Sequence, residues 1–268
     1  MVAIEQFSTA SAYKSDYLEL LGELGMTRHL GGLDATRELT HLCHIRKGLH
    51  VLDVGCGTGK TPCLLAKWYG CRVTAVDLSP KMVEWTIQRV QKERLAGQVE
   101  VRIADAQNLP FDDQSFDVVM NESILAFVPD RRKALSEYVR VTKPGGYIGF
   151  NESSYLKTPV PPKVEKFLKN TILNAKAETT EYWKELQADS GLRSRIVRIH
   201  PITAWSDFLS RVKWFGPRGI IENLSRIVAT YRSDPVKRKN IQEMLAMQRH
   251  QPERFFEYFG YGIYVGRK

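Results

Sequence analysis

The sequence has few cysteines and no long apolar run. Four of the 268 residues are cysteine, too few and too irregularly spaced for the disulfide framework of a small secreted protein. No stretch approaches 18 consecutive apolar residues, which predicts that no helix spans a membrane. The first residues lack the charged-then-apolar layout of a signal peptide. We therefore expect a cytoplasmic protein whose thiols are reduced.

The chain also lacks internal repeats and low-complexity tracts. Hydrophobic residues make up 43% and charged residues 26%, a globular balance that argues against a disordered, collagen-like or fibrous chain. The length predicts one large domain, or one domain that carries an insertion.

Acidic residues are scarce in the second half. Residues 1–150 hold 18 Lys and Arg against 18 Asp and Glu, whereas residues 151–268 hold 21 against 12, so the whole net charge of +9 lies there. The excess indicates either a solvated basic surface or a negatively charged partner: an anionic substrate, nucleic acid or lipid headgroups.

Short apolar runs alternate with amphipathic stretches from residue 49 onward. This alternation predicts βαβ units and a parallel sheet. The predicted strands are 49–54, 72–76, 99–103, 116–121 and 146–151, and the predicted helices lie near 60–69, 80–96 and 130–142.

The flanking regions are mostly helical. Residues 11–47 have a helical pattern, broken at Leu30-Gly31-Gly32. Past residue 151 we predict helices over 163–176 and 179–189, a strand over 192–199, helices over 204–250 and a last strand at 261–265. We interpret 1–268 as a single domain with an N-terminal helical segment (1–47), a ligand-binding core (48–151) and a helical lid or insertion (201–256).

A glycine-rich turn follows the first predicted strand, in Val51-Leu52-Asp53-Val54-Gly55-Cys56-Gly57-Thr58-Gly59-Lys60. A P-loop would need its first glycine at Val54. A dinucleotide site needs the spacing Gly-x-Gly-x-x-Gly, and Asp53 would repel a pyrophosphate. A nucleoside with no phosphate and a cationic amino-acid tail, S-adenosylmethionine, fits both the spacing and the acid.

The segment Asp53–Gly59 resembles motif I of class I S-adenosylmethionine-dependent methyltransferases. Ser115-Phe116-Asp117-Val118-Val119 and Arg140–Gly146 are similar to the family's fourth strand and the turn before its fifth. The resemblance, which is close over about 49–151, implies that Asp77 holds the ribose of the donor and that Asp105 and Ala106 hold its adenine. Asn121, through its carbonyl or side chain, is expected to hold the amino-acid end of the donor. The cofactor-binding residues that it implies are Asp53, Gly55, Gly57, Gly59, Asp77, Leu78, Asp105, Ala106 and Asn121.

The same resemblance implies the fold and the reaction. The fold would be α/β, a doubly wound, mostly parallel seven-stranded sheet (Rossmann-like methyltransferase fold) with a helical insertion between the last two strands. The reaction would transfer methyl from S-adenosylmethionine to a small-molecule acceptor, hydrophobic or anionic, and release S-adenosylhomocysteine. Leu109-Pro110-Phe111 and the Pro-Gly-Gly turn resemble the ubiquinone/menaquinone-biosynthesis branch. No metal is expected, because His29, His200 and His250 lack ligand spacing.

Two Asn-Glu pairs follow the fourth and fifth strands. Because ligands lie beyond the carboxyl ends of parallel strands, we expect Asn121-Glu122 and Asn151-Glu152 to face the methyl group. Glu122 and Glu152 are the candidate catalytic residues, as bases or as ligands of a substrate amine. The alternative is that they cap the turns that follow.

Two other functions stay open. A nucleic-acid methyltransferase would use the basic excess, but the chain has Asn121-Glu122-Ser123-Ile124 where such enzymes carry Asn/Asp-Pro-Pro-Tyr/Phe. A non-catalytic module that binds S-adenosylmethionine is the second alternative. Oligomeric state is not predicted.

The helical block carries an apolar stripe, formed by Ile220, Ile221, Leu224, Ile227, Val228 and Tyr231. Such a stripe usually packs into its own domain. Alternatively it covers a hydrophobic acceptor or touches a membrane. We expect the acceptor to lie between this block and the ends of strands four and five. Gly31 and Gly32, with Tyr13 or Tyr17, are candidates for a cover over the donor; a simple helix–helix turn is the other interpretation.

Overall fold

A computed structural model describes residues 16–171, 177–249 and 251–268. Tyr13, His250 and the end of the helix predicted over 163–176 lie outside these residues, and the side chain of Tyr17 is not described. The strands are β1 (His50–Val54), β2 (Arg72–Asp77), β3 (Val99–Ile103), β4 (Phe116–Glu122), β5 (Thr142–Tyr155), β6 (Glu178–Thr179), β7 (Arg193–Pro201) and β8 (Phe259–Arg267). The helices are α1 (Asp16–Glu23), α2 (Gly32–Leu42), α3 (Lys60–Tyr69), α4 (Pro80–Lys92), α5 (Arg131–Val141), α6 (Pro162–Thr171), α7 (Thr180–Asp189), α8 (Ala204–Ser233), α9 (Pro235–Arg249) and α10 (Phe255–Tyr258).

One mixed sheet organises the described chain. Its order is β3-β2-β1-β4-β5-β8-β7, with the two-residue β6 paired to β5. Strands β1 to β5 pair in parallel, whereas β8 runs antiparallel to both β5 and β7. The predicted doubly wound fold is confirmed, with β6 as an additional short strand.

Helices cover both faces of the sheet. On one face, here called the α2 face, α2, α3 and α4 pack on alternate strand residues such as Val51, Val73 and Met120. On the opposite face, α5 and α7 pack on Leu52, Val119 and the residues in phase with them. This alternation follows from the two-residue period of a strand, and it decides which side chains can meet at the carboxyl edge.

The predicted element bounds are mostly correct, with two local differences. Helix α4 begins after the Ser79 cap as expected, but it ends at Lys92 because Arg94 takes a left-handed backbone with φ 59°. Strand β5 begins already at Thr142 and passes through Gly145, where its register with β4 shifts.

The predicted insertion lies between β7 and β8. It contains α8, α9 and α10, and α8 is broken at Gly216, whose φ is 67°. Ile227 packs on Leu20, Leu24 and Ile241. The expectation that the whole apolar stripe packs inward is wrong, because the side chains of Ile221, Leu224, Val228 and Tyr231 are exposed. No helix of the described residues is long and apolar enough to cross a membrane.

Candidate functional site

Three carboxylates lie together at the carboxyl edge of the sheet, all on the α2 face. Asp53 is on β1, Asp77 ends β2 and Glu122 ends β4. The charges of Glu122 and Asp77 each help to raise the pKa of Asp53. Because like charges in a buried place are costly, this edge favours a ligand that brings positive charge.

The glycine loop wraps around one of these carboxylates. The backbone N–H of Gly57 donates to Asp77 Oδ2 at 2.9 Å, and that of Ser79 donates to Asp77 Oδ1 at 2.9 Å. Gly57 has φ +56°, a conformation that favours glycine, and a Cβ placed there would meet no atom within 4 Å. Open space therefore lies in front of the loop beside Asp77, as a bound ligand requires.

Gly55 and Gly59 are required for packing. A Cβ on Gly55 would lie 2.2 Å from Ile124 Cδ1, and a Cβ on Gly59 would lie 2.8 Å from the Thr86 side chain. Gly59 also caps the start of α3 with a left-handed backbone. These two glycines bring the loop against its neighbours and fix the position of the open segment at Gly57.

Asp53 lacks a partner for one of its oxygens. Its side chain is buried, and Oδ2 has no hydrogen-bond partner among the described atoms. Burial is the main reason why its pKa is raised well above the usual range. A buried carboxylate oxygen without a donor is expensive, so a cationic or N–H-bearing ligand that reaches it would be bound favourably.

Asp77 titrates closer to neutrality than an ordinary aspartate. Burial raises its pKa to about 6, while the backbone N–H groups of Ser79, Gly57 and Leu78 oppose that shift. The half-buried Leu78 follows it directly. Asp105 follows β3, and its Oδ1 accepts from the Gln107 backbone N–H at 2.9 Å; its neighbour Ala106 is buried.

Glu122 is surrounded by hydroxyl groups and a histidine. Thr36 Oγ1 donates to its Oε1 at 3.0 Å, and Thr61 Oγ1 donates to its Oε2 at 3.0 Å. His29 Nε2 lies 3.3 Å from Oε2. Burial raises the pKa of Glu122 to about 7, and hydrogen bonds from Thr61, Thr36 and Asn151 oppose the shift.

His29 complements this carboxyl group. Burial lowers its pKa to about 4, so the ring is neutral near pH 7. Its Nδ1 lies 3.0 Å from the Leu30 carbonyl oxygen, and its Nε2 lies 3.0 Å from Thr36 Oγ1 and 3.3 Å from Glu122 Oε2. The neutral ring thus completes the polar surroundings of Glu122, and Glu122 is the stronger base of the two groups.

The second glutamate lies on the other face of the sheet. Glu122 pairs in register with Asn151, so Glu152 is one residue out of phase with it. Glu152 is fully buried and accepts hydrogen bonds from Asn121 Nδ2 at 2.8 Å and from the backbone N–H groups of Ile124, Leu125 and Ala126. The structure thus contradicts the expectation that both glutamates face one substrate, and Glu152 anchors the turn after β4.

Asn121 is held by the same contact. Its side chain is buried and turned towards Glu152, with Oδ1 lacking a partner among the described atoms. Of the two groups of Asn121 that were expected to hold the donor, the side chain is engaged with Glu152, and the carbonyl is left for that role.

A roof over the glycine loop comes from two distant segments. Trp214 of α8 donates from Nε1 to the Thr27 carbonyl oxygen at 3.1 Å, and Thr27 Oγ1 lies 2.9 Å from Thr58 Oγ1. The Lys60 ammonium lies 4.3 Å from the Trp214 ring centroid and donates to the Trp214 carbonyl oxygen. We call residues 27–29 and Trp214 the roof of the site.

Two further contacts hold the roof. The Trp214 and His29 rings meet edge to face at 4.8 Å, and Arg28 forms an ion pair with Asp207. Burial lowers the pKa of Lys60 to about 8, with a smaller contribution from Arg89.

Sequence reasoning missed the surroundings of Glu122. His29 is isolated in the sequence, and the roles of Thr36, Thr61 and Lys60 depend on α2 and α3 packing side by side on one face. Helical periodicity gave no signal for this pairing, because His29 lies before α2, which begins at Gly32. In the described parts of the chain, no group of three His, Cys, Asp or Glu residues could hold a metal ion.

Known proteins resemble the chain over the residues of the glycine loop and the carboxylate cluster. Residues 52–150 match the family described as "Methyltransferase domain". An uncharacterized protein of Haemophilus influenzae is 32% identical over 177 residues, which are 65% of this chain and 70% of that protein. O-methyltransferase cnsE of Penicillium expansum is 39% identical over 119 residues, 44% of this chain and 43% of that enzyme. The chain thus spans less than half of this named relative.

Solved structures resemble the chain over most of its length. The cyclase SpnF has a TM-score of 0.71 at 20% identity and covers 93% of this chain and 91% of its own. Phosphoethanolamine N-methyltransferase 2 of Haemonchus contortus, in complex with S-adenosyl-L-methionine, has a TM-score of 0.71 at 18% identity and covers 100% of this chain and 60% of its own. At these identities the likeness concerns the fold alone. These relatives give no support to the nucleic-acid or non-catalytic alternatives, and they do not single out the quinone branch.

Proposed function

Because residues 52–150 match the methyltransferase-domain family, we propose that the chain is a class I S-adenosylmethionine-dependent methyltransferase and that it methylates an oxygen of a small molecule. The observation that carries the proposal is the carboxylate cluster of Asp53, Asp77 and Glu122 around an open glycine loop. The donor is a cation that bears no phosphate, so these residues fit it and would repel a nucleotide.

Each donor-binding residue would hold a different part of the donor. The Asp77 carboxylate, fixed by the backbone of Gly57 and Ser79, is placed to accept from ribose hydroxyls. The unpartnered oxygen of Asp53 is suited to the positively charged end of the donor, together with the main chain of Asn121. Asp105 and Ala106 lie where the adenine would be held, at the end of β3.

The residues around Glu122 would handle a proton. S-adenosylmethionine supplies a methyl group on a positively charged sulfur, and the C–S bond breaks as the acceptor's lone pair bonds to carbon, which releases neutral S-adenosylhomocysteine. An acceptor O–H must lose its proton in this displacement, whereas an amine free base need not. Glu122, with a pKa of about 7 and His29 beside it, is placed to take that proton, which favours a hydroxyl or carboxyl acceptor.

The roof would exclude water and bound the acceptor. The Trp214 ring packs against the Lys60 ammonium and meets the His29 ring edge to face, so the acceptor space would have an aromatic wall beside the polar cluster. This combination suits a small molecule with an apolar body and one acidic hydroxyl. Quinols of the kind methylated in ubiquinone and menaquinone biosynthesis belong to this class, as do phenols and enols.

A turnover screen tests the proposal. Purified protein with S-adenosylmethionine would be incubated with phenols, quinols, carboxylic acids, amines and total RNA, and S-adenosylhomocysteine would be measured. Turnover with oxygen acceptors that is abolished in Glu122→Gln is the expected result. Turnover with amines or RNA alone would contradict the acceptor class, and donor binding without turnover on any acceptor would favour a non-catalytic module.

A further inference from the structure

Exposed apolar side chains are concentrated in the insertion. Among the described residues, the large hydrophobic side chains that stand exposed number ten, and eight of them lie between Trp205 and Val236. Trp205 is 67% exposed and Phe208 53%. Exposed apolar side chains that are grouped in one segment mark an interaction surface more often than singly scattered ones do.

The first segment of α8, residues 204–215, has an entirely apolar outer face. Successive residues of a helix are rotated by about 100°, which groups Trp205, Phe208, Leu209 and Val212 on one side. On the opposite side, Ser210 and Trp214 are buried against the rest of the domain. The Trp205 and Phe208 rings stack with centroids 5.7 Å apart. We call the four apolar side chains the outer face of α8.

Basic residues border this outer face. The rotation places Arg211 and Lys213 at its two margins, where they pair with Asp207 and Asp34 and keep 46% and 56% of their side chains exposed. Beyond the break at Gly216, the exposed Ile221, Leu224 and Val228 form a second stripe, and near its margin the Arg218 side chain pairs with Glu222 while remaining 90% exposed. Ion pairs as exposed as these contribute little free energy, so lipid phosphates can compete for the three cations. Aromatic and aliphatic side chains between flanking cations are the pattern of a helix that lies in a lipid interface.

We propose that the outer face of α8 docks this protein on an anionic lipid surface. Trp205 and Phe208 would insert at the level of the headgroups, while Arg211 and Lys213 would extend their charged ends towards lipid phosphates. Residues 201–256 hold 10 Lys and Arg against 5 Asp and Glu, so the charge of the block complements such a surface.

A second copy of the chain fits this face less well. In a two-fold symmetric dimer the same patch meets itself, so the basic margins of both copies would be brought together. Like charges facing each other across an interface oppose association. An anionic bilayer supplies the opposite charge, and its interfacial region can bury the single apolar face of a helix.

Sedimentation with vesicles tests the docking on the full-length protein. Large unilamellar vesicles of phosphatidylcholine alone and of phosphatidylcholine with 30% phosphatidylglycerol would be used at low and high salt. We expect binding to the anionic vesicles that weakens with salt, and at least a tenfold loss of bound protein in Trp205→Glu/Phe208→Glu. The matched control Ile199→Glu, on β7 and 37% exposed, should bind as the wild type does.

Calorimetry of S-adenosylmethionine binding provides a control for folding that does not depend on vesicle binding or on methyl transfer. The double variant should bind S-adenosylmethionine as the wild type does, which shows that it is folded. Wild-type protein that fails to sediment with anionic vesicles would overturn the proposal. So would a wild-type dimer, seen by light scattering, that the double variant converts to monomer, because a second copy would then cover the outer face.

Discussion

The carboxylates of Glu122 and Glu152 end neighbouring parallel strands and project from opposite faces of the sheet. The register that pairs Glu122 with Asn151 puts Glu152 one residue out of phase. Glu122 therefore meets hydroxyls of α2 and α3, whereas Glu152 meets backbone N–H groups of the turn after β4. The two glutamates thus serve different purposes. Glu122 faces the candidate site, whereas Glu152 anchors the turn after β4 that borders it.

Replacing Glu152 should cost stability first. In Glu152→Ala, three backbone N–H groups and the Asn121 amide lose their acceptor in a buried place, and we expect a loss of about 3 kcal/mol. Urea denaturation would measure it, with Glu100→Ala, an exposed acid on β3, as the control. An Ala variant as stable as the wild type but devoid of activity would instead place Glu152 in the chemistry.

Replacing Glu122 should cost turnover. Glu122→Gln removes the proton acceptor, and we expect at least about a 100-fold lower kcat with a hydroxyl acceptor. Because the raised pKa of about 7 leaves the basic carboxylate form above that pH, wild-type kcat should rise with pH through this region. The Gln variant should lose this rise, and an unchanged profile would argue against Glu122 as the base.

Donor binding should depend on Asp77. In Asp77→Ala the acceptor for ribose hydroxyls is lost, and the loop at Gly57 loses its anchor, so we expect donor affinity to fall at least about 100-fold. Calorimetry with S-adenosylmethionine would measure the loss, and circular dichroism would show a retained fold. Glu84→Ala, an exposed acid on α4, is the matched control. Unchanged affinity in Asp77→Ala would remove the ribose assignment.

Donor affinity should also fall in acid. Burial raises the pKa of Asp77 to about 6, so the carboxylate form is complete above pH 7 and is protonated as pH falls through 6. A cationic ligand favours the ionised form, and its affinity should therefore weaken between pH 7.5 and 5. Asp77→Asn should bind weakly at every pH with a flatter profile. An equally steep profile in that variant would assign the proton to another group.

The role of the roof can be tested by comparing two tryptophans of α8, Trp214 in the roof and Trp205 outside it. Trp214→Ala removes contacts with Thr27, His29 and Lys60, and we expect at least about a tenfold loss of kcat/KM for the acceptor. Trp205→Ala, on the outer side of the same segment, should leave kcat/KM for a soluble acceptor within about twofold. Equal losses in both variants would indicate that α8 acts through stability alone.

The succession of strands along the chain and the glycine loop could be predicted from the sequence because they depend on local signals, whereas the order of strands within the sheet was implied only by the family resemblance. The loop from Asp53 to Gly59 and the acid at Asp77 follow strands whose apolar runs are plain. The face on which Glu152 lies could not be predicted, because it depends on the register of β4 and β5, and one residue of shift reverses it. The cluster around Glu122 depends on how α2 and α3 pack side by side. The spacing of residues along the chain carries no information about that packing.

The exposure of the α8 stripe was beyond sequence reasoning for a similar reason. An apolar stripe at helical spacing is the usual sign of a buried face, and Ile227 fits that rule by packing on Leu24. Leu224 and Ile221, about one and two turns earlier, do not. The break at Gly216 and the position of α9 decide which side of the helix is covered, and both are tertiary features.

The roof joins residues that lie far apart along the chain, and this separation bears on the order of folding. Thr27 and Arg28 meet Trp214 and Asp207 across about 180 residues of sequence. Contacts of such separation carry a large loop-closure cost and form late. The sheet and the glycine loop can therefore assemble before the roof does. The roof should also open first in the native state, so amide protons of residues 27–29 should exchange faster than those of β1 and β4.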